Sequence, residues 1–424
     1  MKINQAFPMQ GRRILVAASG SIAAIKTPIL VSSLIKSGAE VRCIITPSAS
    51  QLVSPLSLST LSRNQCYQDK DQWDSKQSKP LHIELAEWAE LIVIAPLSAT
   101  SLARWVNGNA DGLLASVLLA SEVPVIAAAA MNTGMWGNHA IQRNWTDLDN
   151  FPQIIKLEPS SGLLACDRIG EGRMANTEII ELAILSALVR AKNNSFLKQD
   201  WKGLNLLVTA GATIESLDIA RQISNKSSGL MGLSIAQAAR FRGASVDLIH
   251  GNLQIPSSIT EGLNLFKIKD AKEMQSTLQD LQSNADVIAM AAAVSDIRKE
   301  GGGAKNKMPK ESFCKSLNDL EIVPDLLSEL TSSKSQNQII LGFAALTGTD
   351  QELLKLAEIK KTRKGCDLLM ANPIDRPNQG FSENFNGGLL LGPNGLVKKM
   401  PVQTKFELAN TLLDELLGLK SKFF

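Results

Sequence analysis

Two successive α/β units, each a doubly wound, mostly parallel sheet of Rossmann-like type, are what the 424-residue sequence predicts. Three observations carry the prediction. The chain is too long for one ordinary core. From Arg12 onward, short β-rich runs alternate with segments of helical period. The alternation pauses at the polar stretch Lys192-Asn193-Asn194-Ser195 and restarts at Leu204. The expected division is a domain over residues 1–191, a linker over 192–202 and a second domain over 203–424.

The first unit opens with a strand over Ile14–Ala17, a small-residue turn Ala18-Ser19-Gly20-Ser21, a helical stretch to Ser37 and a strand over Glu40–Thr46, which together make a βαβ unit. Apolar runs at Leu91–Ala95 and Val123–Ala129, separated by a helical pattern around Asp111–Ser121, continue it, and helix Glu178–Ala191 closes it. The second unit begins with strand Leu204–Thr209, helix Gly229–Arg242 and strand Ser245–His250. Strands at Asp286–Ala291, Gln338–Phe343 and Asp367–Ala371 follow, with Gly387–Leu391 as a hairpin arm. Three consecutive glycines, Gly301 to Gly303, predict a mobile segment.

Composition excludes several classes. The net charge of +3, with 44 basic and 41 acidic residues, gives no reason to expect nucleic acid as a partner. Five widely spaced cysteines, Cys43, Cys66, Cys166, Cys314 and Cys366, form neither a disulfide framework nor a zinc site and fit a reducing cytoplasm. The longest apolar runs are too short to cross a bilayer, and the start of the chain has no signal-like apolar region, so a soluble cytoplasmic protein is expected.

Ser19-Gly20-Ser21 follows a strand and opens a helix, so its N–H groups and hydroxyls suit a phosphate. A plain strand–helix turn fits these residues equally well. A P-loop does not, because Ile25 stands where its second glycine belongs. Three further segments are more distinctive. They are His82-Ile83-Glu84-Leu85-Ala86-Glu87-Trp88-Ala89; Met131-Asn132-Thr133-Gly134-Met135-Trp136; and Gly162-Leu163-Leu164-Ala165-Cys166 followed by Gly170-Glu171-Gly172-Arg173-Met174. Over residues 12–190, these segments in this order resemble the homo-oligomeric flavin-containing cysteine decarboxylases, among them phosphopantothenoylcysteine decarboxylase. The resemblance implies FMN as cofactor, with Gly20, Ser21 and Thr46 at its phosphate and ring. It makes His82 the catalytic histidine, Asn132 the contact of the substrate carboxylate, and Cys166 the acid that protonates the enethiolate left by decarboxylation. Cys166 lies between glycine-bearing stretches, as in a flap that closes over substrate. One departure is that Ala129-Ala130 replace the proline usual before the Met-Asn pair.

In the second unit, Thr209-Ala210-Gly211-Ala212-Thr213-Ile214-Glu215, Asp218 and Arg221 precede Ile223-Ser224-Asn225-Lys226-Ser227-Ser228-Gly229 at a helix start. Such a Ser-Ser-Gly turn suits an anion, or a simple N-cap. Together with Ala291-Ala292-Ala293-Val294-Ser295-Asp296 and the lysines downstream, this half resembles phosphopantothenate–cysteine ligases from about Leu204 to Leu417. The order of the two halves is that of the bacterial bifunctional enzymes of coenzyme A biosynthesis. The resemblance implies CTP as co-substrate with Mg²⁺, Asn225 holding the acyl-nucleotide, and Lys305 on a mobile loop needed for the second half-reaction. It also implies nucleotide contacts from Ala292, Asp296, Pro324, Asp325, Leu326, Leu327, Phe343, Lys360 and Lys364, and leaves the Mg²⁺ ligands unassigned. Without it, Lys360 to Lys364 read as a solvated helix end favoured by the dipole. Here too there are departures: Met308 ends the K-x-K-K pattern of the lysine loop, Ile219 follows Asp218 in place of proline, and the Ala210–Thr213 loop lacks a customary glycine.

The resulting expectation is an enzyme that ligates cysteine to phosphopantothenate through an acyl-cytidylate and decarboxylates the product to phosphopantetheine. Its partners are those small molecules and copies of itself, with trimeric decarboxylase and dimeric ligase contacts compatible with a dodecamer. The competing readings are a flavin prenyltransferase-like enzyme and a non-catalytic flavin-binding regulator. Retention of both His82 and Cys166 weighs against the regulator, and the His82 segment and the Cys166 flap weigh against the prenyltransferase. A dehydrogenase would need a G-x-G-x-x-G, and neither half opens with one.

Overall fold

A computed structural model of the chain describes residues 9–75, 78–151, 153–165, 167–192 and 199–423. The chain forms two compact units, divided after residue 198.

In the amino-terminal unit six strands, β1 (Arg13–Ala18), β2 (Glu40–Ile45), β3 (Cys66–Tyr67), β4 (Leu91–Leu97), β5 (Val125–Ala129) and β6 (Ile154–Leu157), form one sheet in the order β3-β2-β1-β4-β5-β6. Every neighbouring pair is parallel. The reversal of order at β1 and β4 is the switch point where doubly wound sheets open a crevice. β4 and β5 are buried along their whole lengths, as the uninterrupted runs of Leu, Ile, Val and Ala require of strands covered on both faces. The single helix expected after β1 is instead a 3₁₀ turn, Ile22–Lys26, followed by an α-helix, Thr27–Lys36. Pro28 explains the break, because without an N–H it is compatible with the first turn of a helix but not with its interior. An antiparallel hairpin, β7 (Ser160–Leu163) with β8 (Ile169–Arg173), stands beside the sheet.

The carboxy-terminal unit contains β9 (Asn205–Ala210), β10 (Ile214–Ser216), β11 (Gln222–Ser224), β12 (Ser245–His250), β13 (Asn264–Lys267), β14 (Val287–Met290), β15 (Ile297–Lys299), β16 (Leu320–Ile322), β17 (Ile339–Leu346), β18 (Leu368–Pro373), β19 (Phe385–Gly392) and β20 (Gly395–Thr404). Eight of these form the main sheet, in the order β13-β12-β9-β14-β17-β18-β19-β20. It is parallel as far as β18, and β19 and β20 add an antiparallel arm. The small ribbons β10–β11 and β15–β16 flank it. Helix Lys405–Phe423 packs on helix Leu230–Phe241, with Phe241 and Phe406 rings 6.4 Å apart. Arg242, 2% exposed in its side chain, is held beneath them by Asp200 at 2.5 Å and Asp414 at 2.7 Å. Of the glycine run, Gly301 and Gly302 take positive φ in a turn after β15, while Gly303 packs so closely on Ser216 that a Cβ would lie 2.7 Å from its carbonyl oxygen.

Candidate active sites

In the amino-terminal unit the chemistry gathers at the carboxyl ends of β1, β4 and β5. The buried Ser19 hydroxyl donates to the Pro96 carbonyl at 2.8 Å and accepts from the Ser98 N–H at 2.7 Å, which locks the β1 turn to the end of β4. Ser21 caps the 3₁₀ turn and Ser98 caps helix Ala99–Val106, so two helical N-termini converge on one place. Gly20 is required there, since a Cβ would lie 2.6 Å from that of Ser48.

These residues line a cavity of about 640 Å³ together with Lys26, Asn132 and Arg173, and apolar Met131, Met135 and Leu164. The cavity therefore offers a cationic, N–H-rich end and an apolar wall. Asn132 is exposed to it, and its Oδ1 accepts from the Gly134 N–H at 2.9 Å. The motif glycines of β8 allow the hairpin to lie against this loop: Met131 N–H donates to the Gly172 carbonyl at 3.1 Å, and a Cβ on Gly172 would meet the Met131 oxygen at 2.3 Å. Burial, first of all, pushes the Cys43 thiol up, and likewise Cys66, to about 12, so neither is a nucleophile at neutral pH.

In the carboxy-terminal unit a cavity of about 660 Å³ opens over the ends of β14 and β17. One wall is the Asn225–Gly229 turn, where Asn225 Nδ2 donates to the Val294 carbonyl at 2.9 Å. Gly229 there takes φ of +83° at the cap of helix Leu230–Phe241. The Ala292 and Ser295 N–H groups are fixed by the Thr209 and Thr213 hydroxyls, at 3.1 and 2.9 Å, which sets the Ala291–Asp296 loop. A second wall is Pro324–Leu327, in which Asp325 caps helix Leu326–Ser333 and pairs with Lys364. Burial opposes ionisation of Asp325, yet Lys364 and the Ser328 N–H hold its carboxyl below the usual range. Lys360 is pulled below the ordinary lysine value by burial and then by Lys364 and Arg363, against the attraction of Asp296.

The sequence as a whole has close relatives. Residues 201–419 match the DNA/pantothenate metabolism flavoprotein C-terminal domain and residues 3–188 match the Flavoprotein family. The chain is 34% identical over 423 residues to the coenzyme A biosynthesis bifunctional protein CoaBC of Bacillus subtilis, covering 98% of each. It is 36% identical over 416 residues to that of Haemophilus influenzae, covering 96% of this chain and 98% of the relative. The chain belongs to the CoaBC family. A solved structure of a PPC decarboxylase mutant complexed with pantothenoylaminoethenethiol is 36% identical and covers 44% of this chain and all of that one, with a TM-score of 0.40.

Of the residues the sequence singled out, Gly20, Ser21 and Asn132 line the first cavity of this CoaBC chain. Thr46, just after β2, is not among the lining residues; its N–H donates to the Ala18 carbonyl and its hydroxyl caps Pro47–Ser50. His82 is half-buried in the first turn of helix Leu81–Trp88 and is not among the lining residues. Cys166 lies outside the described residues. In the second cavity, Asn225, Ala292, Asp296, Pro324, Asp325, Leu326, Leu327, Phe343, Lys360 and Lys364 all line one space, and Lys305 does not.

Sequence reasoning missed Lys26, Ser98 and Lys405. Lys405 is 5% exposed on the wall of the second cavity, and its ammonium donates to the Gly380 carbonyl at 3.0 Å. A readable signal existed, because a lysine opening a helix opposes the helix dipole and needs another reason to be there. Among the described residues no helix is long and apolar enough to cross a membrane, and no group of three metal-ligating side chains is gathered.

Proposed function

We propose that the carboxy-terminal unit couples phosphopantothenate to cysteine with CTP and Mg²⁺, and that the amino-terminal unit decarboxylates the product to phosphopantetheine with FMN. The observation that carries this reading is that the ten residues implied by the ligase resemblance, drawn from segments far apart in sequence, line one cavity, within a chain that matches CoaBC relatives over nearly its whole length.

FMN suits the first cavity. Two helical N-termini with Ser21, Lys26 and Arg173 would hold its phosphate, and Met131 and Leu164 would face its ring. When bound, FMN supplies the redox chemistry that labilises the substrate carboxylate. The protein's own part is to orient that carboxylate at Asn132, to exclude water under the hairpin, and to deliver a proton from Cys166. His82 acts at a flavin site formed between copies of the chain, which fits its position outside the cavity of its own unit. Exposed Ile22, Ile25, Ile29, Leu163 and Ile169 supply apolar surface for such an assembly.

In the second cavity Lys360 and Lys364 would balance the charge of a bound triphosphate, and Asp296 would offer a carboxylate to Mg²⁺, which would supply further charge neutralisation. Asn225 orients the activated carboxylate, and Lys305 serves the attack by cysteine. These are cytoplasmic reactions of soluble metabolites.

The test is to record the visible spectrum of the purified protein for flavin and then to supply phosphopantothenate, cysteine, CTP and Mg²⁺, following products by mass spectrometry. Phosphopantetheine is expected, with phosphopantothenoylcysteine accumulating in Cys166→Ser. A yellow protein that makes neither compound overturns the reading.

A further inference from the structure

The loop that carries Lys305 is fastened at both ends to one buried carboxylate and its neighbours. Asp218 is wholly buried in its side chain. It sits in the loop between β10 and β11, where its Oδ1 accepts from the Ala220 and Arg221 N–H groups, each at 2.8 Å. Its Oδ2 accepts from the Met308 N–H at 3.2 Å and from Arg221 Nη1 at 3.2 Å. Arg221 reaches on to the Met308 carbonyl at 3.4 Å and lies over the Phe313 ring at 4.0 Å. That closes the far end of the loop.

The near end is closed by main chain. Ala304 N–H donates to the Leu217 carbonyl at 3.0 Å, Asp218 and Ala304 form a β-bridge, and Gly303 packs on Ser216. The exposure pattern follows: Ala304 and Met308 are half-buried, while Lys305, Asn306 and Lys307 between them are exposed. A burial cost opposes charge on Asp218, and the N–H groups of Ala220, Met308 and Arg221 with the Arg221 guanidinium overcome it, so the carboxyl stays below its usual range. The carboxylate is therefore ionised at the pH where the loop works.

We propose that Asp218, with Arg221, is a positioning clamp for the lysine loop. It confines motion to the three-residue tip Lys305–Lys307 and so sets where the Lys305 ammonium can go when cysteine attacks the acyl-nucleotide. The proposal rests on the ligase reading for Lys305. Asp218 touches no reacting atom in it, and the clamp serves the second half-reaction, leaving nucleotide activation to the two cavity walls that carry Asn225 and Asp325.

The experiment uses the full-length protein with Asp218→Asn, which keeps the size of the side chain and removes the acceptor facing the Met308 N–H. Limited trypsin digestion reads the loop directly. Cleavage after Lys305 and Lys307 is expected to accelerate by about tenfold, the factor that losing a charge-assisted hydrogen bond implies for local opening. Pyrophosphate release from CTP and phosphopantothenate is expected to stay within about twofold of wild type, while cysteine-dependent formation of phosphopantothenoylcysteine falls about tenfold. Unchanged cleavage at the two lysines overturns the clamp. Equal loss of both half-reactions overturns the positioning role. Should Asp218→Asn fail to fold, Arg221→Gln removes the guanidinium from the same clamp and is read by the same criteria. If wild type releases no pyrophosphate, the ligase reading and with it the role assigned to Lys305 fail, and digestion still judges the clamp.

Discussion

Lys405 gives the most direct numerical test of the second site. Burial pulls its ammonium from the ordinary lysine value of 10.5 to about 8, with Glu383 opposing. A lysine held below its unfolded value destabilises the folded state while it is protonated. Below pH 8 both states carry the proton and the full cost applies. Between 8 and 10.5 the unfolded chain binds the proton more tightly than the folded one, so stability rises with pH. The full cost is about 3 kcal/mol, and about 2 kcal/mol of it is recovered between pH 7.5 and 9.5. Lys405→Met removes this titration and leaves the Gly380 carbonyl without its donor, at a cost of about 1–3 kcal/mol that does not vary with pH. The difference between wild type and variant, measured by urea unfolding of the full-length proteins at the transition the substitution displaces, should therefore shift by about 2 kcal/mol in favour of wild type from pH 7.5 to 9.5. A constant difference across that range would refute the buried-ammonium argument.

The remaining predictions address packing and charge. Gly20→Val should yield protein without bound flavin, seen as loss of visible absorbance, because a Cβ there meets Ser48 at 2.6 Å; CTP-dependent ligation should persist. Lys364→Met should raise KM for CTP by about tenfold, since it removes a cavity cation and leaves Asp325 unpaired, while decarboxylation of supplied phosphopantothenoylcysteine stays unchanged. Arg242→Ala should cost about 3 kcal/mol in urea unfolding, because it strips a 2%-exposed guanidinium from between Asp200 and Asp414.

The alternation of apolar runs made both sheets readable, because strands such as β4 and β17 need long unbroken apolar stretches when helices cover both faces. What escaped depends on contacts between residues far apart in sequence. Gly170 and Gly172 read only as part of a glycine-bearing stretch beside Cys166; the structure adds that they are the positions where β8 comes against Thr133 and Met131. Ser98 is an unremarkable N-cap by sequence, and only the 2.7 Å bond from its N–H to Ser19 makes it part of the same turn. Lys360 and Lys364, read alone, were a helix end in solvent; the half-burial of Lys360 and the pairing of Lys364 with Asp325, 39 residues earlier in the chain, depend on tertiary packing.

The departures at Ile219 and Met308 become intelligible once the clamp is seen to work through the backbone. Asp218 accepts the N–H of Met308 and Arg221 donates to its carbonyl, so the side chain at 308 is free to vary, and methionine instead adds a 3.8 Å contact between its sulfur and Lys299. At 219 the side chain is 71% exposed, and the N–H groups that Asp218 captures belong to Ala220 and Arg221. A proline at 219 therefore removes no donor from the carboxylate. It also restricts the unfolded chain, which by itself stabilises by about 0.4–1 kcal/mol where the backbone can accept it. Ile219→Pro should thus leave the urea midpoint of the full-length protein equal to or slightly above wild type, with the trypsin resistance of the Lys305–Lys307 tip retained. A loss of more than about 2 kcal/mol would mean that the turn needs a φ or an N–H that proline lacks, and the clamp would then owe its geometry to Ile219 as well as to Asp218.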